Sequence, residues 1–220
     1  MTENRQLLRS LAQVAVASPL FLLAPFYRRW HLRWGATDAE VAEGMPGDEL
    51  VPKTSFNGTR AITIDAPAED VWPWLVQLGY GRAGWYSYDL FDNAARPSAR
   101  RILSEFQHPS VGDWVPMWSR VNETTAFKIK EFEPNQWMLW EKPNSSWLWT
   151  LTPLDGGRKT RLIARLRTYY NWRGSPGSAL FTTILFELGD FPMMRKLLLN
   201  VKERAERLAI DQADLAVRSA

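Results

Sequence analysis

Residues 59–89, TRAITIDAPAEDVWPWLVQLGYGRAGWYSYD, decide the fold. Ala61, Ile62 and Ile64, with Thr59 and Thr63 around them, form a short β-prone run. Asp65-Ala66-Pro67 ends that run, and Pro67 suits the first turn of a helix, where an N–H would have no partner anyway. Glu69 and Asp70 place negative charge at the positive end of the helix dipole. Val71, Trp74, Leu75 and Leu78 follow the i, i+3, i+4, i+7 spacing of one apolar face, and Gly79 supplies the stop. Pro73 removes the hydrogen bond to Glu69, so a bend is expected inside this helix. The glycines and large aromatics that follow, with Trp85, Tyr86 and Tyr88, predict a tight loop and a second short helix over 88–95. Gly81-Arg82-Ala83-Gly84 is not a phosphate loop, because it lacks a GK[ST] ending and leads into aromatics instead of a helix.

Downstream the period changes from 3.6 to 2. Strands are predicted over 114–117, 126–132, 136–141, 146–153 and 160–169, the last two joined as a hairpin through Asp155-Gly156-Gly157. Trp147, Trp149 and Leu151 share one face of the first arm. In the second arm Leu162, Ala164 and Leu166 share a face, with Ile163, Arg165 and Arg167 opposite. Residues 171–177 break the strands, and 178–188 read as an apolar helix. Gly189-Asp190 should interrupt it, with Asp190 capping a long amphipathic helix over 191–217. Met194, Leu197, Leu198, Val201, Ala205 and Leu208 make the buried stripe of that helix. Strand, helix, several antiparallel strands and a long closing helix give an α+β architecture, a curved sheet gripping a helix.

Upstream, residues 10–27 carry no charge and lie between Arg5, Arg9, Arg28 and Arg29. The run is at the lower limit for spanning a bilayer, and Gln13, Ser18, Pro19 and Pro25 weaken it. Three readings stand open: a short membrane anchor, an interfacial helix, or a hydrophobic arm packed on the main domain. Trp30 and Trp34 among Arg28, Arg29 and Arg33 have the composition of a membrane-surface belt. A cleaved signal peptide fits less well, since no small-x-small site precedes YRRWHLRW. Residues 35–56 read as a linker, because Gly44, Pro46, Gly47 and Pro52 break regular structure. The expected organisation is therefore an arm over 1–34, a linker over 35–56 and one domain over 57–220. A cytoplasmic location is expected, with the arm able to reach the inner face of the membrane.

The 220 residues are 45% hydrophobic and 23% charged, the composition of an ordinary globular chain. There is no Cys, which excludes disulfides, thiolate catalysis and Cys-based zinc sites. His31 and His108 are the only histidines, too few for a multi-His metal site or a credible Ser-His-Asp set, and His108 reads as a loop residue. No cofactor or metal is expected. The net charge of +3 is spread without a basic block or reader motif, so no nucleic-acid partner is expected. The 12 Trp exceed what a small core needs, which points to a lined cavity or a membrane boundary.

Taken together, Ile62-Thr63-Ile64-Asp65-Ala66-Pro67 with Val71-Trp72 resembles the I-x-A-P-x-x-x-V-W opening of the START/Bet v 1-like (SRPBCC) helix-grip superfamily. The loop GYGRAGWYSYD, Val111-Gly112-Asp113, the segment 161–165 and the helix MMRKLLLNVKERAE are similar to it as well. The likeness runs from Asn57 to the C-terminus and is nearest to bacterial members grouped with polyketide cyclases and lipid-transfer proteins. That resemblance implies a deep, mostly apolar cavity between sheet and C-terminal helix, and no single activity. Carriage of a small hydrophobic ligand or lipid would use Trp74, Trp85, Tyr86, Tyr88, Trp140, Trp149, Met194 and Leu198. A cyclase or dehydratase would need polar groups in the cavity, with Tyr88, Asp89 and Arg165 as catalytic candidates beside Tyr86 and Glu141. Each has a structural alternative. Tyr88-Asp89 can cap a helix, Glu141 can pair with Lys142 or Arg165, and Arg165 can be a solvated or half-buried strand residue. A membrane-tethered protein-interaction domain is the third reading.

Overall fold

The computed structural model describes residues 2–219. Six antiparallel strands form one sheet: β1 (Phe56–Ile64), β2 (Trp114–Pro116), β3 (Ala126–Glu133), β4 (Trp137–Lys142), β5 (Ser145–Leu154) and β6 (Lys159–Thr168), in the order β1-β6-β5-β4-β3-β2. Helix α4 (Ala68–Val76) and the 29-residue α7 (Phe191–Ser219) cover one face. Trp147, Trp149 and Leu151 stand opposite Leu166, Ala164 and Leu162 across the β5–β6 hairpin, so the period-2 pattern supplies the inner face as expected. Val71, Leu75 and Leu78 of the first helical stretch and Met194, Leu197, Leu198, Val201 and Ala205 of α7 close onto it. Each buried indole in this layer removes on the order of 200 Å² from water, worth about 5 kcal/mol before entropy.

The helices depart from the sequence reading in two places. The helix expected over 88–95 is only α5 (Asp89–Asp92), because Ala94 and Ala95 turn left-handed and the Ala95 N–H returns to the Asp89 carbonyl at 2.6 Å. Near Gly189-Asp190 the chain does not break. Helix α6 (Pro176–Ile184) runs through a π-helical turn, Leu185–Asp190, into α7. Asp190 therefore caps nothing. Its carboxylate lies 2.5 Å from Arg60 of β1, a pair buried on the inner side of the sheet.

The N-terminal segments wrap the domain. Helix α1 (Thr2–Leu22), a 3₁₀ turn (Ala24–Tyr27) and α2 (Arg28–His31) lead to residues 32–34, which run beside the free edge of β1. The N–H groups of Thr59 and Ala61 donate to the Leu32 and Trp34 carbonyls at 2.8 and 3.1 Å, so an open sheet edge is satisfied by the chain itself. Gly35 makes this approach feasible. It sits at φ +74°, and a Cβ there would come within 2.0 Å of the Ala61 carbonyl oxygen.

Residues 35–56 then cross the outer face of the sheet. Thr37 caps the short helix α3 (Asp38–Ala42) in a capping box with Glu40. Glu40 binds Arg161 at 2.8 Å, and Arg161 holds its carboxyl down to about 2. Gly47 packs against Leu139, the outward residue between Met138 and Trp140.

Helix α1 touches α5 through Phe21, edge-on to Phe91 at 5.8 Å, and α7 through Gln13, which accepts from Lys196, while Leu8, Leu11, Val16, Leu20 and Leu22 are exposed. No single helix among the described residues is long and apolar enough to cross a membrane. One bent pair, 8–22 with 24–31, meets the length and composition needed.

Candidate functional site

Gln77, at the C-terminus of α4, is the residue from which the site is built. Its side chain is fully buried and every polar atom of it is used. Oε1 accepts from the Leu103 N–H at 2.8 Å and from Gln107 Nε2 at 3.2 Å, while Nε2 donates to the Tyr86 hydroxyl at 2.7 Å and the Arg101 carbonyl at 3.2 Å. An irregular stretch is thereby fixed against the helix. Ala99 completes the fixing: its N–H donates to the Ala83 carbonyl at 2.8 Å, and its carbonyl accepts from Arg204 of α7 at 3.1 Å.

Between this pinned segment and α7 lies a cleft with a cavity volume of about 460 Å³. Arg100, Arg101 and Ile102 form one wall; Asn200, Glu203, Arg204, Arg207, Leu208 and Asp211 form the other, and Trp74 contributes from α4. The α7 residues follow i, i+3, i+4, i+7, i+8, i+11, a second stripe beside the core stripe. Trp74 is 4% exposed and its indole N–H has no hydrogen-bond partner. Its ring meets the edge of Tyr86 at 6.1 Å, and the Arg204 guanidinium lies 4.4 Å from the centre of the Tyr86 ring. Burial pushes the Tyr86 hydroxyl above its ordinary pKa and the Arg204 guanidinium below its own.

Of the residues expected to hold a ligand, Trp74 lines this cleft. Trp85, Tyr86, Trp140, Trp149, Met194 and Leu198 belong to the packed core. Trp85 stacks on Trp147 at 5.5 Å and Trp147 on Trp149 at 4.9 Å, while Trp140 meets Trp85, Trp147 and Trp149 at steep angles. The indole N–H groups of Trp140, Trp147 and Trp149 have no hydrogen-bond acceptor among the described residues. Four of the twelve tryptophans, Trp85, Trp140, Trp147 and Trp149, thus form an aromatic layer between sheet and helix.

The catalytic candidates are not brought together. Arg165 is on the outer face of the sheet and is not solvated: at 3% exposure it lies beneath residues 40–48. Asp89 accepts from Ser98 Oγ at 2.5 Å, and that same Oγ accepts from the Tyr86 N–H at 3.1 Å, so Asp89 ties the loop to the segment after α5. Glu141 pairs with neither Lys142 nor Arg165 but with Lys130, at 2.9 Å. His108 is exposed in its loop. Arg82, from the glycine-rich loop, donates to the Val76 carbonyl at 2.7 Å and the Trp114 carbonyl at 3.0 Å, joining the end of α4 to β2.

Tyr88 lies under the arm. Its ring is edge-on to Phe21 at 5.3 Å, with the Lys196 ammonium 4.1 Å above it, and Lys196 also donates to Gln13 at 2.9 Å. Asp92 is buried in the same region, and burial together with Asp89 pushes its carboxyl up to about 7. The fold therefore prefers Asp92 protonated. That contribution is whole below the unfolded value near 4 and is lost as pH rises through about 7. His31 works in the opposite sense: burial and Arg60 hold it down to about 4, so its contribution fades as pH falls from 6.5 through that value. Asp92→Asn, neutral at every pH, is expected to gain on the wild type from pH 4 upwards and to be more stable by about 2 kcal/mol at pH 8. Urea unfolding of both proteins across this range measures the difference, and a difference that does not vary with pH would refute the assignment.

The cleft arginines are missed by a reading that follows hydrophobic period alone. The signal available was the Arg100-Arg101 doublet in an irregular segment, together with Arg204 and Arg207 on one turn of α7.

No protein-family model matches the chain, and no curated protein does. Solved structures similar to it include a Polyketide_cyc-like protein from Corynebacterium glutamicum, 17% identical, with a TM-score of 0.41 over 69% of this chain and 91% of that one. A protein from Mesorhizobium loti is 16% identical, with a TM-score of 0.35 over 68% and 97%. CalU16 from Micromonospora echinospora is 16% identical, with a TM-score of 0.30 over 69% and 84%. With its six-stranded antiparallel sheet closed on one face by a long C-terminal helix, the chain has the helix-grip fold expected from its sequence.

Proposed function

We propose that the protein binds and carries a small, largely apolar molecule in the cleft between residues 99–103 and α7, without altering it. The observation that carries this reading is the 460 Å³ cleft itself, within the range of small-molecule sites and reaching down to the buried Trp74. Its walls are held before any ligand arrives, by Gln77 and Arg204. Preorganisation of this kind lowers the ordering cost of binding. Catalysis by Tyr88, Asp89 and Arg165 acting together lacks comparable support, since Arg165 faces away from α7 and is committed to backbone carbonyls and Asp48.

Filling the cleft tests the proposal. Leu208 is a half-buried wall residue, and Leu208→Trp adds bulk where the ligand would lie. Protein purified from cells is expected to carry an organic small molecule detectable by native mass spectrometry, and Leu208→Trp, folded by circular dichroism, is expected to lose it. Equal retention by the two proteins would place the ligand elsewhere.

A further inference from the structure

We infer that the cleft selects molecules bearing an acidic group, a carboxylate or a phosphate, attached to an apolar body. This rests on the cleft being the ligand site. Four guanidinium groups line it, those of Arg100, Arg101, Arg204 and Arg207, against the two carboxylates of Glu203 and Asp211. Glu203 is already engaged by Arg207 at 3.0 Å. Among the described residues Arg100 and Arg101 make no ion pair, although the backbone around them is fixed by Gln77 and Ala99.

Arg204 is the more telling group. It is half-buried, and its hydrogen bonds go to the Ala99 and Asn200 carbonyls at 3.1 and 3.2 Å, not to a carboxylate. The Tyr86 ring face, Glu203 and Asp89 offset part of the cost of withdrawing this guanidinium from water, and an anion in the cleft would offset more of it. Arginine suits that role because its planar fork matches a carboxylate or phosphate with two parallel bonds. Trp74, 4% exposed, adds its side chain to the cleft lining beside the arginines. Beside it, Ile102 and Leu208 supply apolar wall. The cleft thus combines a cationic rim with apolar side chains of Trp74, Ile102 and Leu208, the complement of an amphipathic acid.

Isothermal titration of the full chain with decanoate, decyl phosphate, decan-1-ol and inorganic phosphate tests this. Decanoate or decyl phosphate is expected to bind at least about tenfold more tightly than the alcohol, the scale of charge-assisted hydrogen bonds. Arg100→Gln/Arg101→Gln, two exposed positions outside the core, should abolish most of that preference, with the acids losing affinity far more than the alcohol. Added salt should weaken the acids alone. Equal binding of acid and alcohol would overturn the acidic-group inference and leave the cleft standing as the ligand site. A preference that survives intact in the double variant would overturn the assignment to these arginines. Inorganic phosphate binding as tightly as decyl phosphate would support an anion site while removing the apolar-ligand reading. Failure of all four probes would overturn both. Between the two acids, the tighter one identifies whether a carboxylate or a phosphate monoester fits.

Discussion

Asp190→Ala is expected to cost about 3–5 kcal/mol of stability, the range for breaking one side of a buried ion pair. For a chain of this size that corresponds to a fall in Tm of about 10 °C. Arg60 is 1% exposed, and its guanidinium lies 2.5 Å from Asp190. Its Nε donates to the His31 carbonyl at 2.7 Å, and the rings of Phe56 and Phe191 flank it at 5.9 and 5.6 Å. Burial pushes the Asp190 carboxyl up and Arg60 pulls it back, so each charge is tolerated only because of the other. Removing the carboxylate strands a cation among aromatic rings at the point where arm, β1 and α7 meet. The replacement Arg60→Met with Asp190→Leu should recover most of the loss, because neither charge is then left unpaired. Thermal unfolding of the single and double variants decides the matter: a single variant within 2 °C of the wild type would show that the pair is not structural.

Arg165→Met should lower stability by about 3 kcal/mol, again through groups left buried without partners. Arg165 Nη1 donates to the Glu43 carbonyl at 2.7 Å and to Asp48 at 2.9 Å; Nη2 donates to the Glu40 carbonyl at 2.6 Å; Nε donates to Thr59 Oγ1 at 2.9 Å. Methionine can fill the volume but satisfies none of these acceptors. Residues 36–50 should then detach first, because they lose their most buried anchor while Ser55 stays tied to Thr168 and Tyr170. Limited proteolysis is expected to cut the variant within 36–55 under conditions that leave the wild type whole. A variant as resistant and as stable as the wild type, yet unable to act on a substrate, would instead restore the catalytic reading of this arginine.

The helix-grip architecture was legible because it rests on periodicity and punctuation. Pro67 and the acidic pair behind it mark one helix, alternate tryptophans mark the inner face of β5, and a long stripe from Met194 marks α7. Those signals are local, and local spacing dictates which side of an element is apolar. Nothing local distinguishes the fates of Arg60, Arg161 and Arg165 from those of solvent-facing strand arginines. Their burial depends on segments more than a hundred residues away in sequence, Asp190 for the first and Glu40, Glu43 and Asp48 for the others. The same holds for the tryptophans. Their number suggested a lined cavity or a membrane boundary, and only pairing register brings Trp140, Trp147 and Trp149 against one another.

By itself the sequence determined the order of the main strands and helices, the apolar faces of β5, β6, α4 and α7, and the absence of cysteine chemistry, because these follow from residue type and spacing along one chain. Only the tertiary structure decided that residues 32–34 complete the edge of β1, that the apparent linker covers the outer face, and that Trp74 lies beside Arg100, Arg101, Arg204 and Arg207 in one cleft. The physical reason is that a cleft and a buried charge are defined by what approaches from distant parts of the chain. Gln77 shows it most simply: an amide near the end of α4 becomes the anchor of a binding wall only when residues 101–107 fold back to meet it.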